Sequence, residues 1–147
     1  MKPQPFILTP KDYHPALNVL GTKVTVLASN AATQAYEITL QQGDEGTGPP
    51  PHSHNWDASF YVLKGKVEFT SAGKTVVRMP GTLVHVPADT VHGFRYGTGG
   101  GEMLELTGLG SFATQMFTAI SREIPQGPPD IPKVLEVLKQ NGVTVAA

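Results

Sequence analysis

Turn-forming residues cut the stretch from 22 to 108 into seven short runs, and this most limits what the chain can fold into. The runs are "TKVTVLAS" (22–29), "QAYEITLQ" (34–41), "ASFYVLKGKVEFTS" (58–71), "KTVVRM" (74–79), "TLVHVP" (82–87), "VHGFRYG" (91–97) and "GEMLELTG" (101–108). They are rich in Val, Thr, Tyr and Phe, several alternate, and turns such as Gly43-Asp44, Ser71-Ala72-Gly73 and Pro80-Gly81 bound them. Many strands at close spacing predict an all-β sandwich or barrel. The 16 Gly and 13 Pro of the 147 residues are spread between these runs, so they predict turns, not disorder.

The two ends differ from the middle. Pro3, Pro5, Pro10 and Pro15 predict an irregular arm over residues 1–20. After the barrel segment 22–108, residues 111–142 read as two short helices. Ser111 is placed to cap the first, with Phe112, Met116, Phe117 and Ile120 at helical spacing. Asp130 is placed to cap the second, with Val134, Leu135 and Leu138 on one face and Gly142 as the stop. Residues 1–147 are thus expected to form one domain, large enough for a core of its own.

Several function classes are excluded or disfavoured by composition. A net charge of -1 without charge blocks gives no footprint for nucleic acid or an anionic membrane. No apolar run has the length of a membrane span, and the start lacks the apolar core of a signal peptide. With no cysteine there are no disulfides, thiolate ligands or thiol nucleophiles, and a cytoplasmic location is the expectation.

The chemistry lies with the five histidines. His52 and His54 flank one residue, so on a strand they share a face and can grip one ion. His92, after the turn "VPADT", is the natural third ligand. An H-x-H pair alone also fits two surface histidines. His85 in "TLVHVP" is a candidate pocket base if it points inward, and Asp57 a candidate carboxylate at the ion. Glu37 and Glu105 are further candidate bases whose facing alternation leaves open. Phe60, Val62 and Phe94 share parity with the ligand histidines and are expected to line the pocket, with Trp56 and Tyr96 near its mouth.

The spacing resembles the two signature motifs of the cupin superfamily. The first reads G-x5-H-x-H-x3,4-E-x6-G and is met by Gly46, His52, His54 and Gly65; the second reads G-x5-P-x-G-x2-H-x3-N and is met by Gly81, Pro87 and His92. The tail "GLGSFATQMFTAISREIP" is similar to that of small quercetin-dioxygenase-like cupins. The resemblance implies a jelly-roll barrel (double-stranded β-helix), a homodimer and one divalent transition metal: Fe, Ni, Mn, Cu or Zn. It also implies a small, apolar, oxygenated ligand of enol, phenol or diketone type. Three departures stand out: Ala58 where the family has its glutamate ligand, Asp89 for a glycine and Tyr96 for an asparagine. Three neutral histidines and water still suffice to hold an ion, at +2 instead of +1. The expected function is a quercetinase-like dioxygenase. The alternatives are an oxygen-independent, metal-assisted cyclase or isomerase and a non-catalytic barrel that binds a small ligand.

Overall fold

The computed structural model of the protein describes residues 2–146. After a single 3-10 turn at Pro10–Asp12 come β1 (Leu17–Val19), β2 (Thr22–Ala28), α1 (Asn30–Thr33), β3 (Glu37–Gly43), β4 (His52–His54) and β5 (Ala58–Ser71). There follow β6 (Lys74–Arg78), β7 (Leu83–Val86), β8 (His92–Thr107), α2 (Ala113–Glu123), α3 (Ile131–Gln140) and β9 (Val143–Val145). The strands make one antiparallel sheet, ordered β1-β2-β3-β8-β4-β9, with β5 on β8 and β6 and β7 on β5. The sheet curls into a half-barrel, and α2 and α3 follow at the C-terminal end. No described helix is long and apolar enough to cross a membrane.

The ladder between β5 and β8 is the spine, running from Ala58↔Thr107 to Ser71↔His92 with irregularities on either side of Lys64. The run of glycines at 99–101, expected to separate two strands, lies inside β8. Pairing with β5 on either side of the glycines, at Gly65↔Gly101 and at Val67↔Tyr96, carries the strand across them. Gly65, at φ +74°, faces Gly101, and a Cβ there would overlap the carbonyl oxygen of Gly100. Both the left-handed backbone and the close approach require glycine. Gly65→Ala is therefore expected to destabilise by about 2 kcal/mol or more. In urea denaturation the midpoint should fall while the slope stays constant.

Other elements depart from the sequence reading. Residues 30–33 form a helical turn capped by Ser29, whose side chain accepts from the Ala32 amide, so β3 begins only at Glu37. The N-terminal arm contains a strand, β1. At α2 the capping position falls on Phe112, while Ser111 Oγ accepts from the Ala113 amide at 3.0 Å. Asp130 caps α3 through the Lys133 amide. On α3 the buried positions are Val134 and Val137, with Leu138 packed alongside, whereas Leu135 is exposed. After Gly142 (φ +78°) the chain turns back as β9 and pairs with the histidine strand β4.

The core has three parts. Phe60, Val62, Val67, Phe69, Phe94, Tyr96 and Met103 fill the barrel. Trp56, Val24, Phe117 and Val143 join the sheet to α2, and Ile120, Ile124, Val134 and Val137 join α2 to α3. Each such large apolar side chain contributes roughly 1.5–3 kcal/mol by leaving water.

Candidate metal centre

β4 is only three residues long, yet it is held on both sides. His52 pairs with His92 of β8, and all three β4 residues pair with β9. The ladder thereby sets three imidazoles around one point. Their ring centroids lie 5.7 Å (His52–His54), 4.4 Å (His52–His92) and 5.0 Å (His54–His92) apart. One ring nitrogen from each falls within 4.8 Å of the others.

All three rings are oriented by local backbone carbonyls. His52 Nδ1 donates to Pro50 O at 2.8 Å, His54 Nδ1 to Trp56 O at 2.9 Å and His92 Nδ1 to Thr90 O at 2.8 Å. A carbonyl offers no proton, so each Nδ1 carries the hydrogen and each Nε2 keeps its lone pair. His92 Nε2 is buried without any hydrogen-bond partner among the described residues. Burial of such an acceptor is costly unless something binds it, so the donor set fits a divalent transition metal ion held by His52, His54 and His92. Burial, then repulsion from His92, pushes both His52 and His54 down to about 4; the carbonyl bonds oppose this. Burial likewise lowers His92, against its bond to Thr90. The ligands are therefore neutral at ordinary pH, the form that coordinates.

An apolar cavity opens beside His52 and His54. Trp56, 2% exposed, stacks on His54 with centroids 4.3 Å apart and planes 7° from parallel. Phe60, whose ring centroid is 6.2 Å from that of His92, and Phe94 complete the barrel side. Met116, Phe117 and Leu138 close it from the helices. Ala58 is buried on the inner side of β5 with Phe60, in the same apolar cluster, and brings no ligand atom.

Other expected site residues lie elsewhere. Along β7, Val84 and Val86 pack inward, which turns His85 outward; it is exposed and its Nδ1 bonds Ser59 Oγ at 2.8 Å. It cannot serve the cavity as a base. Asp57 is exposed, and its Oδ1 accepts the Ala88 amide at 2.8 Å, so it fastens the loop that precedes β8. Val62 and Tyr96 are fully buried in the barrel packing and do not border the cavity; Tyr96 is not at a mouth. Asp89 adopts φ +64°, the left-handed state for which the motif's glycine is suited, and its amide donates to His54 O at 2.8 Å.

Two inward carboxyls complete the picture. Glu37 accepts from Ser111 Oγ (2.8 Å), Thr114 N (3.2 Å), Asn30 N (3.3 Å) and, weakly, Thr107 Oγ1 (3.5 Å), tying β3 to α1, β8 and α2. Its role is structural. Glu37→Ala strands several buried donors and is expected to cost about 3 kcal/mol, read from urea unfolding; a loss under about 1 kcal/mol would contradict this. Glu105, by contrast, lines the cavity together with Gln41, whose Nε2 donates to Glu105 Oε1 at 2.6 Å. Sequence reasoning misses Gln41. The available signal is the period-two run Glu37, Thr39, Gln41, three polar residues on one face of a strand.

Comparison with known proteins agrees with this geometry. Residues 37–106 match the Cupin domain family. Over 71 residues the chain is 31% identical to quercetin 2,3-dioxygenase of Bacillus subtilis (strain 168). That stretch is 48% of this chain and spans 21% of the length of that relative. Among solved structures, KdgF from Halomonas sp. superposes with a TM-score of 0.66 at 20% identity, over 72% of this chain and 94% of that one. The polyketide cyclase RemF from Streptomyces resistomycificus superposes with a TM-score of 0.63 at 20% identity, over 72% and 80%. At such identities the shared property is the fold. Residues 37–106 thus belong to the cupin domain family, within a curled antiparallel half-barrel followed by two helices.

Proposed function

We propose that the protein is a metal-dependent enzyme acting on a small, apolar, oxygenated compound of enol, phenol or diketone type. Quercetinase-like dioxygenation is the leading reaction. The observation that carries this reading is the set of three imidazoles, each with Nδ1 committed to a carbonyl, next to an apolar cavity. When bound, a divalent ion supplies a Lewis acid of charge +2 that favours an ionised ligand oxygen. The chain's own part is to hold and orient. Trp56, Phe60 and Phe94 present flat apolar surface to a conjugated carbon frame and keep water from it. Apolar walls with few polar groups are what such ligands require.

A second reading, an oxygen-independent cyclase or isomerase, is favoured by Ala58. The motif carboxylate is absent there, and the one cavity carboxyl among the described residues comes from a different strand. The test is reconstitution with iron, nickel, manganese or zinc, followed by flavonols and diketones with an oxygen electrode and product analysis. Turnover with oxygen uptake supports the dioxygenase; turnover without it supports the second reading. Tight binding without conversion in any metal form overturns both in favour of a ligand-binding barrel.

A further inference from the structure

We propose that Glu105, oriented by Gln41, is the residue that exchanges a proton with the ligand in this cavity. The inference rests on the reading of the cavity as an oxygenated-ligand site. Every other group that could do this work is committed or turned away. His85 and Asp57 are exposed and bonded to Ser59 and Ala88. Glu37 has both carboxyl oxygens occupied by donors from neighbouring elements. The three ligand histidines give Nδ1 to carbonyls and keep Nε2 for an ion.

Glu105 differs from all of these. On β8 it stands opposite Phe60 of β5 and Thr39 of β3, so it projects from the wall that carries the cavity's aromatic lining. Among the described residues it has one hydrogen bond, from Gln41 to Oε1, and Oε2 is left for a ligand. Gln41 fixes the rotation of the carboxyl, which is what a proton-transfer group needs. The groups around it are Gln41, Thr39 and Glu37 on β3, Phe60 on β5 and Tyr96 on its own strand, and His52 and His54 border the same cavity. No cationic side chain is among them, and the histidines are neutral. Burial pushes the Glu105 carboxyl up to about 8; the Gln41 bond opposes this and Glu37 adds to it.

In the metal-free chain Glu105 therefore holds a proton at neutral pH, and an ion at the histidines would shift its ionisation downward. In the acid direction its O–H bond breaks, the proton bonds to a ligand oxygen or enolate carbon, and the carboxylate keeps the electron pair. In the reverse direction the carboxylate takes a proton from a ligand O–H or an acidic C–H, and the bonding pair stays on the ligand. No oxidant or reductant enters either step.

Trp56 is the single tryptophan and borders the cavity, so its fluorescence reports occupancy. Quercetin and pentane-2,4-dione would be titrated into the zinc-loaded protein between pH 5.5 and 9.5. If the neutral carboxyl donates to the ligand, the dissociation constant should rise about tenfold per pH unit above the Glu105 ionisation. Glu105→Gln should lose that dependence with zinc content unchanged, and Gln41→Met should move it to higher pH. The probes' own ionisations are common to all three proteins and cancel. An identical pH profile in Glu105→Gln and the unaltered protein would overturn the proposal. If neither compound quenches Trp56, the ligand class proposed above is wrong, and carbon-13 NMR of glutamate carboxyls then decides. In the metal-free protein, a resonance titrating near pH 8 that disappears in Glu105→Gln supports Glu105; titration in the usual range, about 4.3, overturns it.

Discussion

Zinc or iron binding is expected to collapse when His92 is replaced by alanine. The three histidines are the one cluster of metal-competent side chains among the described residues, and Ala58 offers no carboxylate to compensate. Two imidazoles on a three-residue strand leave an ion with half its tetrahedral shell to be filled by water, and affinity should fall by about 100-fold or more. Chelator competition would read this directly. Stability gives an independent measure, because an ion bound only to the folded chain stabilises it by about 2.7 kcal/mol at 100 times its dissociation constant. Excess zinc should therefore raise the midpoint of thermal unfolding in the unaltered protein and leave His92→Ala where it was. Full metal content in His92→Ala would remove the basis for a three-histidine centre.

The same cluster shows how far the amino-acid sequence alone reaches. Strand parity puts His52 and His54 on one face, and the motif spacing adds His92 from a distant strand. Parity says which residues share a face; it does not say which face is inward. On β3 the usual rule would bury Ile38 and Leu40, yet Glu37, Thr39 and Gln41 are the buried set. On β8 Glu105 and Thr107 are buried with Met103, while Leu106 is exposed. These inversions follow from what the inner face must do: Glu37 ties α1 and α2 to the sheet, and Gln41 with Glu105 borders the cavity. For the same reason the facing of His85 is not legible in its sequence, since the packing of its neighbours Val84 and Val86 decides it. Equally illegible is β9, three residues after α3 whose strand character comes from pairing with β4.

A polar residue turned into an apolar cavity has a thermodynamic signature, and Glu105 should display it. Burial raises its carboxyl from the ordinary 4.5 to about 8. Between those values the folded chain holds a proton that the unfolded chain has released, so stability falls as pH rises through that window. Above the upper value the whole penalty is present. Glu105→Gln keeps the shape of the side chain and a possible bond to Gln41, yet has no proton to lose. Relative to the unaltered protein it should gain stability as pH climbs, on the order of 4 kcal/mol by pH 9. At pH 4 the two should differ little. The histidines titrate with the opposite sense: their depressed values favour the fold above about 6.5 and weaken it as pH falls. That slope is shared by both proteins and drops out of the difference. Urea unfolding of the metal-free proteins at pH 5, 7 and 9 measures it. A difference that stays constant with pH would mean that Glu105 ionises as freely in the folded chain as in the unfolded one, and that the cavity wall is wetter than its lining suggests.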